Sequence, residues 1–262
     1  MTKSLPAVLI TGASTGIGAV YAERFARRGH DLVLVARDEA RLNALAGRLR
    51  QENGVAVDVL KADLTASEDL ARIEARLRED AKIGILVNNA GAAAHGGFAD
   101  QDPEALDGLI RLNVTALTRL AGAVTPRFLA AGTGAIVNIA SVVALAPEFS
   151  LGVYAATKAF VLTLSQTLQV ELGPRGLYVQ AVLPAATRTE IWERSGRDVN
   201  ALEGVMDVGE LVDAALVGFD RREAVTIPPL PDASQWEAFD AARRAMLPNF
   251  RQEHAAERYR AA

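Results

Sequence analysis

Short apolar and β-branched runs alternate along this chain with longer stretches of helical periodicity, and no other feature restricts its fold as much. A strand, a helix and another strand in succession build a parallel sheet, because the crossover helix carries the chain back to the same end. Seven strands are expected, over Ala7–Thr11, Asp31–Ala36, Ala56–Leu60, Ile83–Asn88, Ala135–Ala140, Tyr178–Leu183 and Val225–Pro228. Their near-continuous apolar character fits strands covered on both faces. Helical patterns lie between them, such as Arg41, Leu42, Ala44, Leu45 and Leu49, or the run from Val153 to a stop at Gly173 and Pro174. The fold class that follows is α/β, a single doubly wound, Rossmann-like domain with a parallel seven-stranded sheet.

The domain is expected to fill residues 1–262, with its core over residues 5–228. Two stretches break the rhythm. Residues 185–207 carry few large apolar side chains and exceed what a simple connection needs, which marks them as a substrate lid. Residues 229–262 form a helical C-terminal extension, in two pieces divided at Pro248, the first with Trp236, Phe239 and Met246 on one side.

A glycine-rich turn, Gly12-Ala13-Ser14-Thr15-Gly16-Ile17-Gly18, follows the first strand directly and opens the first helix. That placement favours a dinucleotide's pyrophosphate. One glycine permits a tight turn, another lets backbone approach the anion, and a third allows close helix–strand packing, while the helix N-terminus presents unpaired N–H groups.

Tyr154 and Lys158 stand four residues apart within the helical run, so a phenol and an ammonium share one helical face. An ammonium close by favours the phenolate and is expected to lower the phenol's pKa from about 10 towards working pH, where a general acid or base acts best.

Composition removes several function classes. The net charge of −4, with dispersed Lys and Arg, provides no basic stripe for nucleic acid. Cysteine is absent, and His30, His95 and His254 are scattered, so no metal site is expected. No apolar run is long enough to span a bilayer, and the N-terminus lacks a signal-peptide layout, so a cytoplasmic protein without a membrane partner is expected.

The Gly-x-x-x-Gly-x-Gly spacing, Asn88-Asn89-Ala90-Gly91 closing the fourth strand, Asn113, Ser141 ending the fifth strand, and the Tyr154/Lys158 pair follow one another in order. In this the chain resembles the short-chain dehydrogenase/reductase family over about residues 5–228. The resemblance implies hydride transfer between a nicotinamide dinucleotide and a carbonyl or secondary alcohol. Tyr154 would be the general acid/base, Ser141 would stabilise the substrate oxygen, Lys158 would also bind the nicotinamide ribose, and Asn113 would hold a water relaying protons to Lys158. The implied cofactor contacts are Gly12, Ser14, Thr15, Gly16, Ile17, Gly18, Arg37, Asp63, Leu64, Asn89, Ala90, Gly91, Tyr154, Lys158, Pro184, Thr187 and Thr189, with Asn88 mainly structural. Where the family has Pro-Gly after the sixth strand this chain has Pro184-Ala185, which removes a ready positive φ from the loop.

NADP(H) is the expected cofactor. An NAD-selective relative places a carboxylate at the tip of the second strand, whereas here Ala36 and Arg37 leave room and a guanidinium for a 2′-phosphate. Asp38 is read as the cap of the following helix. The remaining expectations are a small-molecule carbonyl or alcohol substrate, mostly apolar, facing Ala92 to His95, Val142 to Val153 and the lid, and a homotetramer or homodimer. A dinucleotide-binding protein that has lost catalysis is the alternative, since fold does not dictate function.

Overall fold

The computed structural model describes residues 5–93, 98–190, 198–199 and 202–260. The chain divides into two compact units, Met1–Pro228 and Pro229–Ala262.

In the larger unit strands and helices alternate as expected: β1 (Ala7–Thr11), α1 (Gly16–Arg27), β2 (Leu32–Ala36), α2 (Glu39–Asn53), β3 (Val57–Lys61), α3 (Ser67–Glu79) and β4 (Ile83–Asn88). After β4 come α4 (Pro103–Ile110), a π-helical turn (Arg111–Ala116), α5 (Leu117–Ala131), β5 (Gly134–Ile139), α6 (Gly152–Leu172), β6 (Leu177–Val182), α7 (Val208–Asp220) and β7 (Val225–Thr226). All seven strands pair in parallel in the order β3-β2-β1-β4-β5-β6-β7. The last is shorter than expected, because Pro228 and Pro229 have no N–H with which to continue a ladder.

Side chains alternate across the strands, so the sheet has two cores. Val8, Ile10, Leu32, Leu34, Val87 and Val137 pack with Tyr21, Phe25, Leu42 and Leu216 on one face, under α1, α2 and α7. Leu9, Val33, Val35, Leu86 and Ile136 pack with Ile73, Leu77, Leu120 and Phe128 on the other, under α3 and α5. Strand order reverses between β1 and β4. At such a switch point the neighbouring connections leave in opposite directions and open a crevice at the carboxyl ends of the strands.

The smaller unit contains α8 (Ala233–Ala245), capped by the Asp232 carboxylate, which accepts from Ser234 N at 2.9 Å. Trp236 and Phe239 stack on its surface with ring centroids 5.6 Å apart. The helix stops at Ala245, ahead of Met246, and Pro248 lies inside a 3₁₀ turn, Leu247–Phe250, instead of dividing two helices. The ring is tolerated there because first-turn N–H groups have no helical partner.

Candidate active site

A cleft of about 1150 Å³ opens at the switch point. Its β1–β4 side is stitched by two side chains. Thr11 Oγ1 accepts from the backbone N–H groups of Asn89 and Ala90, each at 3.0 Å, and the Asn89 amide donates to Thr11 O at 2.9 Å and Gly12 O at 3.2 Å. Asn89 therefore holds the turn with its side chain and faces the cleft as part of its backbone wall. Gly12 sits at φ +65°, and a Cβ there would lie 2.8 Å from the Asn89 amide and 2.9 Å from Ala90 Cα. Gly18 is the packing glycine: a Cβ would come within 2.4 Å of Gly12 O, and its position lies behind the cleft wall.

The cleft is lined by Gly12, Ser14, Thr15, Gly16 and Ile17 from the turn, Arg37 after β2, Asp63 and Leu64 after β3, Asn89, Ala90 and Gly91 after β4, and Pro184, Thr187 and Thr189 after β6. Ser141, Tyr154 and Lys158 complete its far end. Of the expected site residues, Gly18 and Asn113 stand outside this lining. No side-chain cap occupies the first turn of α1 among the described residues, which leaves its N-terminal amides for an anion.

At the β2 end, Ala36 is buried and Arg37 is exposed into the cleft, with no ion pair within 4.0 Å among the described residues. Asp38 caps α2 by accepting from Arg41 N at 3.0 Å, as the sequence implies. Asp63 is held below the usual carboxylate range, first by its hydrogen bonds from Thr65 and then by the charge of Arg37. Arg41 on α2 pairs with Glu190 and so ties the segment after β6 to the second helix, a link between distant residues that has no local signature. That segment crosses the glycine turn, where a Cβ on Gly16 would lie 3.2 Å from the Thr189 methyl. Ala185 is accommodated without a positive φ. Thr187 bridges Met206 instead, with Arg188 N donating to Met206 O and Met206 N to Ala186 O, each at 2.9 Å. Of the expected lid, residues 191–197, 200 and 201 lie outside the described residues, as does His95.

The catalytic candidates converge from β5 and α6. Ser141 lies two residues beyond β5 and caps the 3₁₀ turn Val142–Ala144; its Oγ donates to Pro184 O at 3.2 Å and accepts from Val143 N at 3.4 Å. Lys158, only 7% exposed, donates from Nζ to Ile139 O at 2.8 Å, with Nζ 5.8 Å from the Tyr154 ring centroid. Burial pushes its ammonium from 10.5 down to about 8. Burial also raises the Tyr154 phenol, against an opposing pull from Ser141. The expectation that Lys158 lowers the phenol is therefore not met in the protein alone: desolvation disfavours both charged forms, and the ammonium is turned to a carbonyl.

Asn113 lies in the π-helical turn, not in regular helix. Its Oδ1 accepts from Ala92 N and its Nδ2 donates to Ala92 O, both at 2.9 Å, with a further bond to Thr157 Oγ1 at 3.2 Å. Both amide protons are thus committed to protein, and the side chain braces the β4 loop; the expected relay water would have only oxygen lone pairs to bind. Asn88 joins a buried chain, donating to Asn138 at 3.0 Å, which donates to Ser165 at 2.9 Å. Among the described residues no cluster of His, Cys, Asp and Glu suits a metal ion, and no helix is long and apolar enough to cross a membrane.

A family model described as short chain dehydrogenase matches residues 6–200. A short-chain dehydrogenase from Sphingobium yanoikuyae, solved in complex with NADPH, is 69% identical and superposes with a TM-score of 0.96 over 98% of this chain and 100% of that one. A bulky-bulky ketone specific alcohol dehydrogenase from Comamonas testosteroni is 60% identical, with a TM-score of 0.92 over 98% and 99% of the two chains. A very-long-chain 3-oxoacyl-CoA reductase from Anas platyrhynchos is 34% identical over 188 residues, 70% of this chain and 60% of that protein's length.

Proposed function

Since this chain belongs to the short-chain dehydrogenase family, we propose that it is an NADP(H)-dependent oxidoreductase that interconverts ketones and secondary alcohols, with Tyr154 as general acid/base. One observation carries this reading: Ser141, Tyr154 and Lys158 line the same cleft as the glycine turn and Arg37. The cleft exceeds the roughly 300–1,000 Å³ usual for one small ligand, as it must if cofactor and substrate share it. Gly12 and Gly16, both at positive φ, let the turn pack against Asn89, Ala90 and Thr189, and the uncapped turn of α1 supplies N–H donors for a pyrophosphate. Arg37 would pair with the 2′-phosphate, Asp63 and Leu64 would flank the adenine, and Asn89 to Gly91, Lys158, Pro184, Thr187 and Thr189 would hold the ribose and nicotinamide end.

When bound, the nicotinamide supplies or accepts the hydride. Tyr154 gives its phenolic proton to the substrate oxygen during reduction and takes it back during oxidation. Its raised pKa keeps it protonated for the reductive direction. Ser141 directs its hydroxyl to the same oxygen and offsets the charge that builds there. Lys158, with its pKa lowered to about 8, still holds its proton at neutral pH, and that charge stabilises the deprotonated Tyr154.

The substrate class we propose is a ketone with two large apolar substituents. Val142, Val143, Phe149, Leu151 and Leu202 line the cleft as apolar side chains, with Ser150 and Glu203 as their polar neighbours. The name of the Comamonas testosteroni relative supports this class. Purified protein with NADPH and a graded series of aryl and alkyl ketones, followed by loss of nicotinamide absorbance, tests it. Reduction that favours bulky diaryl or branched ketones is expected, and no turnover with any carbonyl would overturn the reading.

We also propose a homotetramer or homodimer. Ile110 at the end of α4 and Phe160 and Val170 on α6 are 41%, 40% and 77% exposed, an apolar content that a paired helical face would cover. Light scattering at micromolar concentration is expected to exceed the mass of one chain.

A further inference from the structure

The Tyr154/Lys158 pair and the β4 loop belong to separate parts of the chain, and the Thr157 hydroxyl links them through Asn113. Thr157, buried at 3% exposure, donates from Oγ1 to Tyr154 O at 2.7 Å and accepts from Asn113 Nδ2 at 3.2 Å. Asn113 in turn grips Ala92 through both its N–H and its C=O. The line of bonds therefore runs from the first turn of α6, through the π-helical turn, to the loop after β4. It ends where the cleft wall formed by Asn89 to Gly91 begins.

We infer that Thr157 is a positioning residue, which sets the general acid's helix against the wall that would hold the nicotinamide ribose. The inference rests on the oxidoreductase reading above. Three features make the hydroxyl matter. The π-helical turn replaces regular backbone pairing around Asn113, so its side chain is held by Ala92 and Thr157 more than by its own helix. A methyl in place of Oγ1 would leave a buried amide N–H of Asn113 without an acceptor, a state that proteins relieve by moving the donor. Space at this junction is also tight: a Cβ on Gly91 would lie 3.2 Å from Asn113 Oδ1 and 3.6 Å from Lys158 Nζ, so a displaced Asn113 changes the surroundings of both.

The test compares Thr157→Val, which keeps the shape and loses the hydroxyl, with Thr157→Ser, which keeps the hydroxyl. Hydrogen exchange at the Ala92 amide, measured on the cofactor-free protein, reads the brace without reference to activity. In the Val variant exchange is expected to quicken roughly tenfold, the weight of about one hydrogen bond. kcat is expected to fall by about the same factor while the Kd for NADPH stays within threefold, because the glycine turn is untouched. The Ser variant is expected to restore both. Unchanged Ala92 exchange, or faster exchange with kcat intact, or a Ser variant as impaired as Val, would each overturn the inference. Should the Val variant fail to fold, Thr157→Ala carries the same comparison. A parent enzyme inactive towards every carbonyl would sink the functional reading, while the exchange comparison would still decide whether Thr157 holds the brace.

Discussion

The two ends of the cleft are built in different ways. The proposed phosphate end is mostly backbone: the turn after β1, where Gly12 and Ser14 to Ile17 line the cleft, the amides of α1, and a short segment after β4, with Arg37 as its basic side chain beside Asp38 and Asp63. The substrate end is mostly side chains from well-separated segments, with Val142 and Val143 after β5, Phe149 and Leu151 ahead of α6, and Leu202 ahead of α7. Backbone recognition tolerates few changes, since it depends on glycine clearances of a fraction of an ångström. Side-chain recognition can be retuned one residue at a time. Ser141, Tyr154 and Lys158 sit where the two ends meet, so substitutions of Ser141 or Tyr154 should disturb chemistry while leaving each kind of binding largely intact, whereas a change at Lys158 should weaken cofactor binding as well.

The largest effect tests that junction. Tyr154→Phe removes one hydroxyl, and kcat is expected to fall by about 10²–10⁴, the usual weight of a general acid, with NADPH titration unchanged. Turnover above a tenth of the parent's would mean that another group moves the proton.

Lys158 tests the same place through stability. Its folded pKa of about 8 lies below the ordinary 10.5. Below pH 8 both folded and unfolded states hold the proton, and the burial cost is present in full. Between about 8 and 10.5 the unfolded chain keeps a proton that the folded protein has released, so stability rises with pH, by up to about 3 kcal/mol in the limit. Denaturant titrations of the cofactor-free protein from pH 8 to 10 are expected to show this rise and Lys158→Met to lack it. Parallel curves for the two proteins would contradict the burial of a titrating ammonium.

Arg37→Ala probes the charged side chain of the phosphate end. Losing charge-assisted hydrogen bonds of about 1.5–3 kcal/mol should raise the KM for NADPH by roughly 10- to 100-fold and that for NADH by less than threefold. An equal effect on both cofactors would make Arg37 a surface charge. The smallest effect belongs to the substrate end. Phe149 is 59% exposed, so Phe149→Ala is expected to raise the KM for bulky ketones by only about three- to tenfold, with no change for NADPH. A change in the KM for NADPH as well would show that the two ends are not separable.

The seven strands, their parallel pairing and the place of the glycine-rich turn between β1 and α1 were legible in the residues, because each rests on local periodicity or on a contiguous motif. Asp38 as a helix cap was legible for the same reason, since a cap acts within its own turn. The catalytic candidates were proposed from residue types at spacings, and the fold brings Ser141, Tyr154 and Lys158 to one wall. Only tertiary structure decided the rest. The proton affinities of Tyr154 and Lys158 depend on how deeply the fold buries them, and burial opposes what their spacing alone implies. The grip of Asn113 on Ala92, the Thr157 link and the Arg41–Glu190 pair join residues 21, 44 and 149 positions apart. Such contacts carry no mark in a linear chain, because the energy that forms them depends on distances that exist only once the sheet has assembled.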